Sequence, residues 1–270
     1  MEKKFGIFTL AKGSQRFIDL AKNLAHSLDI WDPGIPRAVA TDSNDPELHQ
    51  LFDFIIPADF ESPSGFSQKL YMYDYSPFEQ TLFIDADSLV VAPLKELIKR
   101  MRVSSVSAQG FKRKKGNWAG VDISDAISKL PAEYLIIHNG GIYYFEKGKE
   151  AKRVFKDAKG VLERYEELGF YQLRGKIAHE PLMSSAMSMN QMNTYNDQEG
   201  MGMRTFVDIN SALDISVILG YCRFREKGDP ENKVISPCIV HFSGNHADWF
   251  HYKRETTKMY IHRKTKINPK

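Results

Sequence analysis

Short apolar runs alternate with stretches of helical period along this chain. Phe5 to Leu10 is apolar but for Thr9 and predicts a buried strand. Beyond it Phe17, Leu20, Ala21, Leu24 and Leu28 recur at helical spacing, forming one apolar stripe, with Ser14 placed as the helix N-cap. Asp32-Pro33-Gly34-Ile35-Pro36 breaks the pattern, Arg37 to Thr41 resumes it as a strand, and Phe54-Ile55-Ile56 gives another. Gly65 to Tyr73 reads as helical and leads through Ser76-Pro77-Phe78 into the apolar run Thr81 to Val91. A helix over Leu94 to Met101 and a strand over Val103 to Ala108 continue the alternation.

Gln109 to Pro131 then loses its period and is expected as a long surface excursion, a kind of loop that often carries function. Asn139-Gly140-Gly141 precedes the apolar run Ile142 to Phe145. Alone it reads as a hairpin turn, although its glycines also permit close approach by a ligand. A long amphipathic helix is expected over Lys149 to Leu168 and another from about Glu180 to Met189, with Pro181 in its first turn. Asn190 to Arg204 gives no element, and Val234 to Val240 predicts a strand running into His241. The alternation implies an α/β fold with a mostly parallel central sheet flanked by helices.

At 270 residues and 42% hydrophobic content the chain suits one large domain, expected over 1–250, with a basic tail over 251–270. Cys222 and Cys238 are the two cysteines, too few for a disulfide framework. The opening residues lack the pattern of a secretory leader, and no apolar stretch is long enough to span a bilayer, so a cytoplasmic protein without a transmembrane segment is expected. The net charge of +3 does not by itself argue for a nucleic-acid partner. Two basic clusters change that picture: Lys112-Arg113-Lys114-Lys115, and the tail with Lys253, Arg254, Lys258, Arg263, Lys264, Lys266 and Lys270. Either could be a solvated face or could meet an anionic partner.

The chemistry concentrates at Phe83-Ile84-Asp85-Ala86-Asp87-Ser88. Alternate side chains on a strand share a face, so Asp85 and Asp87 would both face one cation if the strand continued through Ala86. Carboxylates suit magnesium or manganese, which in turn suit phosphate oxygens. The pair also lies at the carboxyl end of a strand, where ligands collect in open α/β sheets. Such a pair can equally open a polar turn. His241, following the last apolar strand, is a candidate third ligand.

In order, these segments resemble the nucleotide-sugar glycosyltransferases of the GT-A (Rossmann-like) fold, most nearly family 8. The resemblance rests on the opening strand and helix ending in Ala25-His26-Ser27-Leu28, on Lys69, on Phe83 to Val90 as a DxD strand, on Asn139-Gly140-Gly141-Ile142, and on His241-Phe242-Ser243-Gly244. It implies transfer of a sugar from a nucleoside-diphosphate sugar, a UDP-sugar by the family's habit and with retention, to a carbohydrate or other hydroxyl acceptor. Asp85, Asp87 and His241 would hold Mn2+ (or Mg2+), with Ala86 next to the ribose. Thr9, Ala11, Lys69, Asn139, Gly140, Gly141, Gly244 and His246 fall among the donor-binding positions. Glu180 takes a donor-positioning or charge-stabilising role, with His179 beside it.

Three positions depart from that pattern. Ala11-Lys12-Gly13 lacks the family's acidic residue, His179 stands where an aspartate is usual, and Ala247-Asp248-Trp249 replaces Lys-Pro-Trp. A phosphate-binding cation would then come from His246, Lys253 or Arg254. An anionic acceptor, whether a polyanionic glycan or a modified DNA base, would suit the basic clusters. Two other classes stay open: a haloacid dehalogenase-type phosphatase using Asp85, and a non-catalytic sugar-nucleotide-binding protein with aromatics such as Trp118, Tyr143, Tyr144 and Trp249.

Overall fold

A computed structural model of the chain describes residues 4–58, 66–173, 175–206 and 213–267. It opens with β1 (Phe5–Ala11), α1 (Gln15–Trp31), β2 (Arg37–Thr41), α2 (Leu48–Leu51) and β3 (Phe54–Pro57). Of the predicted stripe of α1, Leu20, Ala21, Leu24 and Leu28 are buried, joined by Ile18 and Ala25, whereas Phe17 is exposed. Ser14 occupies the N-cap in extended conformation without a side-chain capping bond. A 3-10 turn over Phe66–Tyr71 precedes α3 (Met72–Tyr75), where the sequence predicted one helix.

The middle of the chain forms β4 (Gln80–Ile84), β5 (Ser88–Val90), α4 (Lys95–Met101), β6 (Val106–Arg113), β7 (Asn117–Trp118), β8 (Val121–Asp122), α5 (Ile123–Ser128) and β9 (Leu135–Glu146). Then follow α6 (Lys149–Glu163), α7 (Tyr165–Leu168), β10 (Gln172–Leu173), β11 (Lys176–Ile177) and α8 (His179–Met189). The end comprises β12 (Met203–Thr205), β13 (Asp214–Ser216), β14 (Tyr221–Arg225), β15 (Val234–Ile235), β16 (Ile239–His241) and α9 (Phe250–Ile267). The largest sheet, ordered β3-β2-β1-β4-β9-β6, is mostly parallel, with β1 and β4 parallel in register Phe5↔Gln80 to Phe8↔Phe83. The expected α/β architecture is present.

Several local expectations are corrected. The excursion from Gln109 is structured: β6 continues to Arg113, β7 and β8 form a small hairpin, and α5 is capped by Asp122, whose carboxylate accepts from the Ser124 and Asp125 amides. Asn139-Gly140-Gly141 is no turn, because β9 passes straight through it, antiparallel to β6 with a register shift between Ala108 and Gly110. Pro237 separates β15 from β16, which belong to different sheets. Part of the polar stretch after Asn190 forms β12, parallel to β16.

Residue contacts divide the chain into two compact units, one drawn from Met1–Phe8, Ile56–Phe83 and Ile98–Asn196, the other from Thr9–Ile55, Ile84–Leu97 and Asp197–Lys270. The first packs aromatics: Phe8 lies 6.1 Å from Phe83, Phe83 lies 6.3 Å from Tyr143, and Phe155 meets Phe145 and Tyr73 at 5.4 and 5.3 Å. The second buries Ile18, Val39, Leu89, Val91, Val240, Phe242, Tyr252 and Met259 in one cluster, together with Ala86.

In the second unit α9 turns Tyr252, Glu255 and Met259 inward, and the Glu255 carboxylate is fully buried. It accepts the Val217 amide at 3.0 Å, Arg254 Nε at 2.8 Å and Lys258 Nζ at 3.0 Å. Glu255→Ala is expected to destabilise the protein by about 3 kcal/mol, because the donors lose their acceptor. Urea unfolding measures this, and a loss below about 0.5 kcal/mol would contradict it. Cys222 and Cys238 are both buried free thiols. Among the described residues no helix is long and apolar enough to cross a membrane.

Candidate active site

Two clusters of chemically capable side chains stand out, one in each unit. In the second unit, β4 stops at Ile84 and the chain turns through Asp85-Ala86-Asp87, with the Ser88 amide donating to the Asp85 carbonyl at 3.1 Å. β5 then pairs antiparallel with β16, setting His241 opposite Ser88, while the Phe242 amide donates to the Asp87 carbonyl at 2.8 Å. This non-local pairing brings the imidazole to the acidic turn. His241 Nε2 lies 3.0 Å from Asp87 Oδ1 and 3.5 Å from Asp85 Oδ2. One potential ligand atom from each of the three residues lies within 4.8 Å of the others. Convergence thus comes from a turn, the alternative that the sequence left open beside strand alternation through Ala86.

Two carboxylates and an imidazole form a donor set that suits Mn2+ or Mg2+. The other ring nitrogen, Nδ1, sits 3.4 Å from Thr205 Oγ1 on β12, a contact of the kind that orients a metal-binding histidine. The sequence carried no signal for Thr205, because its place depends on the parallel register Thr205↔His241. Ala86 is buried in the core of the unit.

The other positions of this unit are placed as follows. Thr9 is buried, and its hydroxyl has no hydrogen-bond partner among the described residues. Ala11 turns its side chain into the core. Gly244, at φ +68°, offers its carbonyl to Arg16 Nη2 at 3.1 Å, and Arg16 also binds Asp248. His246 bonds the Ser243 carbonyl through Nδ1 at 2.6 Å and packs its ring 4.4 Å from Trp249. Arg254 is committed to Glu255 and the Ile215 carbonyl, whereas Lys253 is exposed.

In the first unit the cluster gathers around Gly140. Its carbonyl accepts Lys69 Nζ at 2.9 Å and His179 Nε2 at 3.1 Å. A Cβ at Gly140 would stand 2.4 Å from His179 Nε2 and 2.6 Å from Glu180 Oε1, so these side chains fill the space that glycine leaves. Asn139 accepts the Gly141 amide at 2.8 Å through Oδ1, fixing the backbone there. His179 Nδ1 lies 3.3 Å from Glu180 Oε2. Burial pushes His179 down to about 3, so its ring is neutral in the neutral range, while Glu180, with the Lys69 ammonium nearby, is brought down to about 2 against the upward effect of its own burial. The Glu180 carboxylate is therefore ionised throughout the neutral range.

His138 joins this cluster unforeseen. Its Nδ1–H donates to the Ile136 carbonyl at 3.0 Å, which leaves Nε2 to accept the Tyr143 hydroxyl at 2.7 Å. The neutral ring is thereby satisfied, and burial lowers its proton affinity. Its folded value lies below that of the unfolded chain, so its contribution to stability is complete above about pH 6.5 and is lost as the pH falls below it. Urea midpoints are expected to fall between pH 7 and pH 5, and His138→Gln should flatten part of that slope. A slope identical in the variant would contradict this.

No protein-family model matches the chain, and no curated protein matches its sequence. Comparison with solved structures is informative about fold. An active-site mutant of LgtC superposes with a TM-score of 0.60 at 14% identity, covering 94% of this chain and 95% of LgtC. The galactosyltransferase LgtC in complex with donor and acceptor sugar analogues gives 0.56 at 14% identity, covering 94% of each. The bifunctional glycosyltransferase WbbM gives 0.54 at 12% identity, over 97% of this chain and 52% of WbbM. GlyE of Streptococcus pneumoniae TIGR4 is matched at 14% identity and a TM-score of 0.49 over 72% of this chain. The chain spans 46% of GlyE's length. With its six-stranded, mostly parallel sheet and its near-complete overlap with LgtC, the chain has the GT-A glycosyltransferase fold.

Proposed function

We propose that this protein is a metal-dependent glycosyltransferase, moving a sugar from a nucleoside-diphosphate sugar, a UDP-sugar with retention, to a hydroxyl of a glycan acceptor. The observation that carries this reading is the convergence of Asp85, Asp87 and His241 on one another within an LgtC-like fold. These three residues would hold Mn2+ or Mg2+. A divalent cation held there would supply charge neutralisation for a departing diphosphate without requiring a proton. The domain reading is one catalytic domain over 1–250 followed by the basic segment 251–270, and the location proposed is the cytoplasm.

This chain's own residues supply the rest. The buried Thr9 hydroxyl, with no partner among the described residues, and the backbone of Ala11 are proposed to contact the donor, with Ala86 beside the ribose. His246 takes the phosphate role of the family's lysine, with Gly244 letting the backbone approach. Asn139, Gly140 and Gly141 hold the donor sugar, oriented by Lys69 through the Gly140 carbonyl. Glu180, ionised and backed by Lys69, presents negative charge to the positive charge that develops on the anomeric carbon. LgtC, solved with donor and acceptor sugar analogues, supports this substrate class, and no observation favours a DNA acceptor.

Calorimetric titration of a nucleotide-sugar panel tests the reading. One donor is expected to bind with Mn2+ present and to lose at least about tenfold in affinity with a chelator. Binding of none, or equal binding in both conditions, would overturn it.

A further inference from the structure

The hairpin that begins at Asn117 is built in an unusual way. Its turn is Ala119-Gly120, with Ala119 at φ +52° and Gly120 at φ +82°. Alanine rarely adopts that conformation, so the surroundings must hold it there. They do so through the Ala119 carbonyl, which accepts the Tyr171 amide at 2.9 Å, and through Gly120, whose missing Cβ would meet Tyr171 Cβ at 2.9 Å. The Tyr171 carbonyl accepts the Tyr165 hydroxyl at 2.7 Å, and that hydroxyl accepts the Ala178 amide at 3.2 Å. Ala178 is the N-cap of α8, and His179 and Glu180 come next.

A second route leads to the same carboxylate. The Trp118 ring lies 6.4 Å from His138, His138 lies 5.3 Å from Tyr143, and Tyr143 lies 6.2 Å from His179. Trp118 is half-buried and packs on His138, Tyr171 is 43% exposed, and both His138 and the Tyr171 hydroxyl lie within electrostatic reach of Glu180. The end of β6 and the bend after it expose Lys112, Arg113, Lys114 and Lys115 ahead of the hairpin. Of these, Lys114 faces Glu133 at 4.0 Å, and Lys112 bonds Asn193 and lies over Tyr134. Asp122 and Asp125 are engaged at α5, the latter with Lys129.

We infer that Trp118 and Tyr171 form the acceptor subsite for an anionic glycan, stacking on the apolar face of a pyranose ring while the neighbouring cations meet its acidic groups. Tyr and Trp suit such a role because each presents rigid apolar area with a polar edge. The inference rests on the glycosyltransferase reading, because it assigns that enzyme's acceptor side.

An oligosaccharide array carrying acidic glycans and their neutral counterparts tests it, using the full chain with Mn2+, Trp118→Ala and Tyr171→Ala. Thermal melts confirm that each variant folds. The native chain is expected to retain acidic glycans preferentially, and each folded variant to lose at least about tenfold. No glycan bound, equal retention of neutral counterparts, or undiminished binding by both folded variants would overturn the inference. Nucleoside-diphosphate release by the native chain, measured alongside, separates the two readings. Release with a failed array leaves the transferase standing without this subsite, whereas no release removes the transferase reading itself.

Discussion

Asp87→Asn is expected to lower metal-dependent turnover of a nucleotide sugar by about 1000-fold or more, equivalent to about 4 kcal/mol of lost transition-state stabilisation. The change is nearly isosteric and leaves the backbone contact from the Phe242 amide to the Asp87 carbonyl available, so the fold should persist. What disappears is one anionic oxygen from a group of three potential ligands. The amide oxygen that replaces it binds a divalent cation far more weakly. Mn2+ titration should report weaker metal binding in the same variant. Turnover within tenfold of native, or unchanged Mn2+ affinity, would contradict the assignment of Asp87.

The second large effect is expected at Glu180. Replacement by glutamine keeps the shape while removing the charge that now balances Lys69. Turnover should fall by about 100-fold with donor affinity changed by less than about threefold, the pattern of an interaction that strengthens in the transition state. Because the carboxyl sits at about 2, Glu180 stays ionised throughout the working range, and the native pH profile should show no acidic limb from this group above about pH 4. Comparison of kcat and calorimetric donor affinity between native and variant decides the point. Turnover within about twofold of native would remove Glu180 from the chemistry.

The sequence made the ends of strands easiest to read. Apolar runs ending in Asp85-Ala86-Asp87 and in His241 announced both halves of the acidic and imidazole group. Their meeting was harder to foresee, because it depends on β5 leaving β4 after three residues and pairing with β16. Of the two local geometries that the sequence allows there, the turn is realised, bonded from the Ser88 amide to the Asp85 carbonyl, and not strand alternation.

Asn139-Gly140-Gly141 misled for a related reason. Its glycines match a hairpin turn in sequence, yet Gly140 is needed for the space that His179 and Glu180 occupy. The hairpin at Trp118 lacked the Asn-Gly signal that would have revealed it, since Ala119 is held at positive φ by Tyr171. In α9 the buried set Tyr252, Glu255 and Met259 has helical spacing, but the charge of Glu255 and the surrounding lysines and arginines obscured the stripe. Non-local partners decided each of these cases, and a one-dimensional pattern does not contain them.

The central claim is that Asp85, Asp87 and His241 hold a metal in the service of sugar transfer from a nucleotide donor. Its most direct test is chromatographic detection of nucleoside diphosphate released from a panel of nucleotide sugars by the native chain, with Mn2+ or with a chelator. The account predicts release from one donor with Mn2+ and none with the chelator. Silence across the panel, or release unaffected by the chelator, would contradict it.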